Sequence, residues 1–541
     1  MESRHNYGVS DRLAICVLGV IAAIAAITFR DYGLGWDDYS HSQYGELLLA
    51  FYASGFRDPR AFSFVNLYMY GGGFDMAAAL LAKILPFDLF ETRRLAGAGL
   101  GLLGLFVIWR LGRRIGGPLA GLIALALLAA CPLYYGHMFM NPKDIPFAVM
   151  MAITLLGIVR AIEEYPQPAL VTWLLFGLGI GLSIGSRIMG GFAVLYALAA
   201  LILIVALEAR SDSLRPAAVR LGHFLRALVP SIIIAYAAMA LVWPWSVRDP
   251  LNPLRTVLYF SQFFEKPWRE LFAGELILAP DMPRSYLPVL FGLQMPEIFL
   301  ALAITGLAGA LAMVLRPLIP IRRRAICLSV VLAASLPIAV AVATRPAMYN
   351  GIRHFVFVIP PLALLGGLAG SFLLERAKQY GRLALLAASA ILVTGLLLPV
   401  VDIVRLHPYQ YAYFNQLAGG IRGAEGRYML DYWGLAFKQA SQQLLTRLAQ
   451  RRERPDGGRQ WKIAVCGPHP PAAVALGEQF ELTWDPKGAD FAMMLGVFYC
   501  AKLDAPVLAE ISREGVMFAR VYDIRGRSIL SLFTYPPVPS D

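Results

Sequence analysis

The chain has 541 residues, 58% of them hydrophobic and 16% charged, and a formal net charge of +12. Soluble globular domains carry about 45–50% apolar and about 25% charged residues, so a soluble enzyme, a fibrous protein and a disordered tail are excluded. The apolar residues gather in runs such as 119–132, 188–207 and 383–401, long enough to cross a hydrocarbon layer of about 30 Å. This is the composition of a multi-span membrane protein.

In chain order the hydropathy pattern predicts eleven spans, over residues 13–29, 95–109, 118–135, 145–162, 169–184, 188–207, 227–243, 288–315, 325–343, 355–374 and 383–401. The first is not read as a cleavable signal peptide. Its apolar stretch is too long, and no small-residue cleavage site precedes Arg30 and Asp31. The short loops divide by charge. Arg4, Arg12, Arg110, Arg113, Arg114, Arg160, Arg210, Arg215, Arg220, Arg226, Arg316, Arg322, Arg323, Arg324, Arg376, Lys378 and Arg382 fall on one side. The short connections on the other carry only Lys143, Arg187, Arg345 and Arg353. The positive-inside rule places the N-terminus in the cytoplasm, and an odd number of spans puts the C-terminal segment outside. Most of the +12 is therefore topogenic charge against the inner leaflet. The expected partner is the bilayer, with no nucleic acid.

Residues 1–401 form the expected transmembrane domain. Its first outer loop, residues 30–94, mixes aromatics, glycines and acids, and 41–54 and 74–85 show helical spacing suited to the interface plane. Residues 402–541 form an outer region, helical over 402–450 and a small α/β domain over 460–535. In that domain 461–467 is expected as a strand ending in a turn, 472–480 as a helix, and 490–495 and 516–522 as strands. No internal repeat is visible, which weighs against an inverted-repeat transporter. Cys16, Cys131 and Cys327 fall in spans. Cys466 and Cys500 share the outer domain, where an oxidising compartment permits a disulfide that spacing alone leaves open.

Three features carry possible chemistry. The first is Trp36-Asp37-Asp38-Tyr39-Ser40-His41-Ser42-Gln43-Tyr44-Gly45-Glu46, directly after the first span. Two adjacent carboxylates at a membrane boundary repel each other and lose hydration, an arrangement suited to a general base or a divalent-metal site. The structural alternative is Asp38 as the N-cap of a helix. The second is the loop His137-Met-Phe-Met-Asn141-Pro142-Lys143-Asp144-Ile-Pro146. Asp144 could join a first-loop carboxylate around Mg²⁺ or Mn²⁺, which prefer oxygen ligands, while Lys143 and His137 could contact an anionic donor. Here the alternative is turn chemistry at Asn141 and Asp144. The third is a set of outward-facing positives, Arg187, Arg345, Arg353 and His354, that run against the topological trend. An arginine facing a bundle interior wants an anion, and phosphate suits it best; lipid headgroups or an ion pair with the first loop are the alternatives. The fourth outer loop adds Trp243-Pro-Trp245, Tyr259-Phe-Ser-Gln-Phe-Phe264 and Pro283-Arg284-Ser-Tyr286-Leu-Pro288, chiefly an interfacial aromatic belt, with stacking on a sugar ring open to some.

Together these motifs resemble the GT-C superfamily of integral-membrane glycosyltransferases, in particular bacterial relatives of the protein O-mannosyltransferases and of the lipid A aminoarabinose transferase. The likeness covers the whole chain in topology. In motif it covers residues 36–46, 141–146 and 350–361, and in the tail His407-Pro-Tyr-Gln-Tyr-Ala-Tyr-Phe-Asn-Gln416 and Leu430-Asp-Tyr-Trp-Gly434. The first motif has Asp-Asp where Asp-Glu is common. The resemblance implies a GT-C-like α-helical polytopic fold with a small C-terminal α/β extracytoplasmic domain, in a bacterial inner membrane with the C-terminus periplasmic. It implies inverting transfer of a sugar from a polyprenyl-phosphate donor to an extracytoplasmic glycan, lipid or protein hydroxyl. Asp37 would be the general base. Asp38, His41 and Asp144 would position acceptor or metal, a divalent cation lying between Asp38 and Asp144. Lys143, Arg187, Arg345, Arg353 and His354 would hold the donor phosphate. Two other classes stay open on sequence: a transporter or flippase of lipid-linked glycans, and an assembly protein docking partners on residues 409–414.

Overall fold

The computed structural model describes residues 8–261 and 268–534. Arg4, Gln262, Phe263, Phe264 and Tyr535, named above, lie outside the described residues. Among the described residues nine helices are long and apolar enough to cross a membrane: Val9–Asp31, Leu89–Gly116, Asp144–Glu163, Ile188–Asp212, Leu214–Val242, Glu297–Leu315, Ile321–Thr344, Arg353–Gln379 and Arg382–Arg405. Each is built from Leu, Ala, Val, Ile and Gly, and in hydrocarbon only a helix satisfies every backbone polar group within one segment. A tenth span is bent. Pro118–Ala129 and Pro132–Met140 meet at 65°, because Pro132 brings no N–H to the ladder and crowds the preceding turn. The expected span 118–135 is thus longer and broken.

The eleventh segment, Leu170–Ser186, has 17 residues and rises only about 25 Å. It nevertheless runs from one end of the bundle, where Glu164 accepts from the Ala169 N–H, to the other, where Arg187 pairs with Asp144. Its glycines allow close packing: a Cβ on Gly181 would lie 2.2 Å from the Ala235 carbonyl oxygen, the small-residue contact typical of membrane helices. The expected span 288–315 divides into Tyr286–Gln294 and Glu297–Leu315 at Pro296, which disfavours helix in the residue before it.

The two ends of the bundle differ in charge. At one, Arg113 bonds Asp11 at 2.8 Å, Arg114 pairs with Glu163, and Arg322 donates to the Glu163 and Tyr165 carbonyls. At the other lie the first-loop helices Trp36–Ala53 and Gly73–Ala82 and the C-terminal region. The central helices differ from the peripheral ones. Asp144–Glu163 and Arg353–Gln379 are 78% buried over their apolar windows, whereas Arg382–Arg405 is 6% buried, so the two most enclosed spans are those that begin at the site.

The segment between Leu214–Val242 and Tyr286–Gln294 contains an antiparallel hairpin, β1 (Arg269–Phe272) and β2 (Glu275–Leu278). The C-terminal domain is a mixed five-stranded sheet of β3 (Trp461–Cys466), β4 (Phe480–Thr483), β5 (Phe491–Leu495), β6 (Val507–Arg513) and β7 (Val516–Asp523), in the order β4-β3-β5-β7-β6. β3 runs parallel to β4 and β5; β7 is antiparallel to β5 and β6. Every residue of β5 is buried, as befits a central strand covered on both faces. Cys466 and Cys500 form a disulfide. Several expectations change. The helix expected over 472–480 is His469–Leu476, stopped by Gly477 at φ 74°, and its last expected residue begins β4. Residues 402–450 are not one helical stretch. The last span ends at Arg405, short 3₁₀ turns and a one-turn helix, Gly420–Ala424, follow, and helix returns at Phe437–Arg451. Tyr409, Tyr411, Tyr413 and Phe414 are buried and so present no docking surface. Asn415 of the same motif donates to the Gly292 and Met295 carbonyls at 2.7 and 2.8 Å, capping the broken helix at Pro296.

Candidate active site

Gly35 ends an extended approach and the helix Trp36–Ala53 starts directly after it, with no side-chain cap. Asp38 is therefore not an N-cap. Asp37 and Asp38 both lie in the first turn, where the helix dipole favours negative charge, but successive residues diverge by about 100° around a helix. They face different surroundings.

Asp37 keeps 24% of its side chain accessible. Its Oδ2 accepts from Lys143 Nζ at 3.1 Å and from Arg353 Nη1 at 3.0 Å. Burial would raise this carboxyl, but Lys143, Arg353 and His41 outweigh burial and hold it well below the usual carboxylate range. Asp38 turns inward, 3% exposed, and its Oδ1 accepts from Arg93 Nε at 2.6 Å. Arg93 Nη2 also donates to Asp75 Oδ1 at 2.7 Å, and Asp75 Oδ2 meets His41 Nδ1 at 2.7 Å. Burial acts to raise Asp75, yet His41 and Arg93 bring it below its ordinary value. Asp38, Arg93, Asp75 and His41 thus form one buried chain that pins the first-loop helix to Gly73–Ala82 and to the span Leu89–Gly116.

The second loop is organised by Asn141. Its Oδ1 accepts from the Lys143 and Asp144 N–H groups at 3.2 and 2.8 Å, and its Nδ2 donates to Asp144 Oδ2 at 2.7 Å. The turn role weighed for Asn141 is present, and it aims Lys143 at Asp37. His137 is buried beside Asn141 and against the Tyr411 and Trp433 rings. Asp144 forms an ion pair with Arg187, whose Nε has no hydrogen-bond partner. Arg353, 3% exposed, lies 5.0 Å over the rings of both Tyr349 and Trp433, and its Nε is likewise without a partner. His354 packs on Tyr349.

Lys143, Arg187 and Arg353 with Asp37 and Asp144 therefore converge at one end of the bundle, where four elements meet. Arg345 stays apart: it is exposed and donates to the Asp281 and Met282 carbonyls. The residues do not fit the expected divalent cation. Asp38 is committed to Arg93 and Asp144 to Arg187, cations that would repel a metal, and among the described residues no three His, Cys, Asp or Glu side chains are arranged to hold one.

The tail closes the site. Asp431 accepts from the Leu435 and Ala436 N–H groups at 2.9 and 3.0 Å and from the Tyr411 hydroxyl, which folds residues 431–436 into a tight turn and sets Trp433 on Arg353. A Cβ on Gly35 would lie 2.9 Å from the Trp433 ring, and one on Gly33 2.1 Å from the Leu435 carbonyl oxygen. Only glycine admits this approach. His407 bonds Asp31 at 2.9 Å, fastening the end of the last span to the end of the first.

In the sequence Trp433 belongs to a motif with no evident role, and Arg93, Asp75, Trp268 and Glu270 lie outside the motifs. Arg93 stands among Asp88, Glu91 and Arg94, so its charge does not stand out in the sequence. Glu270, 1% exposed, gives no signal either. Trp268 stands edge-on to Trp36 and near Tyr349. Trp243, read as part of the aromatic belt, is buried and donates to the Tyr68 carbonyl at 2.9 Å.

Residues 74–245 match the family described as dolichyl-phosphate-mannose-protein mannosyltransferase. The fold is similar to that of ArnT from Cupriavidus metallidurans in the apo state, at 14% identity and a TM-score of 0.51 over 95% of this chain and 98% of that one. It is also similar to the apo oligosaccharyltransferase of Archaeoglobus fulgidus, at 14% identity and a TM-score of 0.50 over 88% of this chain and 65% of that one. No curated protein sequence matches the chain. The GT-C resemblance drawn from the motifs is thus met by the fold and by the matched family.

Proposed function

We propose that this chain of GT-C fold is an inverting glycosyltransferase, moving a sugar from a polyprenyl-phosphate donor to an extracytoplasmic hydroxyl with Asp37 as general base. The observation that carries the reading is the double pairing of Asp37, partly accessible at a helix start, with Lys143 and Arg353. A carboxylate so neutralised is a weak base. A donor phosphate brings its own negative charge to Lys143, Arg353 and the unpaired Nε of Arg187. As these cations turn to the phosphate, Asp37 regains basicity and accepts the acceptor's proton, help typically worth 10²–10⁴-fold. The acceptor oxygen bonds to the anomeric carbon from the face opposite the phosphate. The anomeric C–O bond breaks, and its electron pair leaves on the polyprenyl phosphate, stabilised by the same arginines. Asp38 and His41 act through the Arg93 chain that orients the Asp37 helix, and no step is routed through a metal.

The description of the matched family supports a lipid-phosphate donor. An apolar cavity of about 290 Å³ among the spans, lined by Ile158, Phe176, Leu201 and Leu228, suits part of its tail. The cationic bundle end supports a cytoplasmic N-terminus. The disulfide of the C-terminal domain supports an oxidising compartment on the site's side, the arrangement of a bacterial inner-membrane enzyme with a periplasmic site.

The test compares surface glycans and glycolipids by mass spectrometry in cells carrying the wild-type gene or Asp37→Asn at equal protein level. The variant is expected to lack one hexose or pentose from a defined species. Glycans identical to wild type would remove Asp37 as base.

A further inference from the structure

The turn that delivers Arg353 is held from outside its own segment. Asn350 and Gly351 both have positive φ, 58° and 68°, the backbone that an Asn-Gly pair adopts readily in a tight turn. Two neighbours fix where this turn sits: Glu270 of β1 and Tyr286 of the short helix. The Asn350 N–H donates to Glu270 Oε1 at 2.8 Å, the Tyr286 hydroxyl donates to the same oxygen at 3.2 Å, and the Gly351 N–H donates to the Tyr286 hydroxyl at 3.0 Å. Both side chains are 1% exposed. The hairpin bearing Glu270 is anchored in turn: Phe272 bridges to Tyr428 and the Gly274 N–H donates to the Arg427 carbonyl.

Three residues beyond Asn350, Arg353 leaves this turn and reaches Asp37. A buried acid is an expensive way to hold one backbone N–H and one hydroxyl, and Glu270 Oε2 has no hydrogen-bond partner. An apolar core has no use for such a group. Its effect is on where Arg353 stands.

We infer that Glu270 is a positioning residue: by accepting hydrogen bonds from Asn350 and Tyr286 it sets the left-handed turn that places the Arg353 guanidinium for the donor phosphate. The inference rests on the proposed role of Arg353 as a phosphate ligand. Because Glu270 acts as an acceptor and not as a charge, glutamine can replace it and alanine cannot.

The experiment measures binding of undecaprenyl phosphate to the full-length protein in nanodiscs, with thermal melting followed in parallel. Glu270→Ala is expected to weaken binding at least tenfold, and Glu270→Gln to stay within about threefold of wild type. Tyr286→Phe, which deletes one oxygen and keeps the ring, is expected to weaken binding severalfold, and it answers the question if the alanine variant does not fold. Binding by Glu270→Ala and Tyr286→Phe equal to wild type would overturn the positioning role, as would a glutamine variant as weak as alanine. Arg353→Ala separates the two readings. A wild-type protein that binds, an Arg353→Ala variant that does not, and a Glu270→Ala variant that binds normally would sink this inference alone. A wild-type protein that fails to bind would overturn the phosphate role of Arg353 and this inference with it.

Discussion

Arg353 Nη1 lies 3.0 Å from Asp37 Oδ2 across 316 residues of sequence, and the same guanidinium lies 5.0 Å from the ring centroids of Tyr349 and Trp433. Two rings and a carboxylate surround the planar group, and its buried Nε has no hydrogen-bond partner. Lysine would keep the charge but offer neither the plane nor the fork of donors. Arg353→Lys is expected to weaken undecaprenyl phosphate binding about tenfold or more in a nanodisc assay. Unchanged binding would place the phosphate elsewhere.

Arg93 neutralises two buried acids at once, Asp38 and Asp75. Removing one partner of a buried ion pair costs about 3–5 kcal/mol because the remaining charge is left without compensation. Arg93→Ala is therefore expected to lose most of its folded protein in detergent, read by fluorescence-detected size exclusion. A monodisperse peak of wild-type height would show that the chain of charges carries little stability.

Gly33 lies against the tail backbone, where an added Cβ would stand 2.1 Å from the Leu435 carbonyl oxygen. Backbone cannot yield as a flexible side chain does, so Gly33→Ala should push the Trp433 turn off the site and lower the melting temperature by several degrees. Gly99→Ala, where nothing lies within 4 Å, is the control and should melt at or slightly above wild type, since alanine favours helix.

The chain has five cysteines; Cys466 and Cys500 are bonded and Cys16, Cys131 and Cys327 are free. Maleimide labelling of denatured, unreduced protein purified from the membrane is expected to count three thiols, rising to five after reduction. Five thiols before reduction would mean the C-terminal domain folds without its bridge. Closing a loop over a separation of 34 residues is worth about 3–4 kcal/mol in the chain-entropy model, so Cys466→Ser should also melt earlier.

Burial, only partly offset by the Asn350 and Gly351 N–H groups, Tyr286 and Arg353, pushes the Glu270 carboxyl up to about 7. The folded state then binds a proton that the unfolded chain releases near 4.5. Stability falls as pH rises from about 4.5 to about 7, with a penalty on the order of 3 kcal/mol fully present above that window. Glu270→Gln carries no such penalty. Its melting temperature should gain on wild type between pH 5 and pH 8, and a gap that does not change with pH would show that Glu270 is ionised throughout.

Residues 36–46, 141–146 and 350–361 are recognisable in sequence because charge is scarce in a membrane protein and stands out where it occurs. Glu270 and Trp433 carry no such mark, Glu270 because it stands beside other charges, Arg269 and Glu275. Each sits in an aromatic-rich segment whose composition suits an interface, and each acquires its role only by touching Arg353 or its turn. Arg345 shows the converse: it stands in the right loop with the right charge, but at φ 51° it leaves its helix toward the Asp281 and Met282 carbonyls instead of the site.

A bundle of apolar spans followed by a small C-terminal α/β domain follows from sequence alone, since hydropathy acts locally and is read one segment at a time. Which charges meet is not local. Asp37 and Asp38 are neighbours in the chain, yet a turn of about 100° between them sends one to Lys143 and Arg353 and the other to Arg93. Only the packing of the first-loop helix against four other elements decides which of two identical carboxylates is held ready at the surface and which is buried to hold the frame.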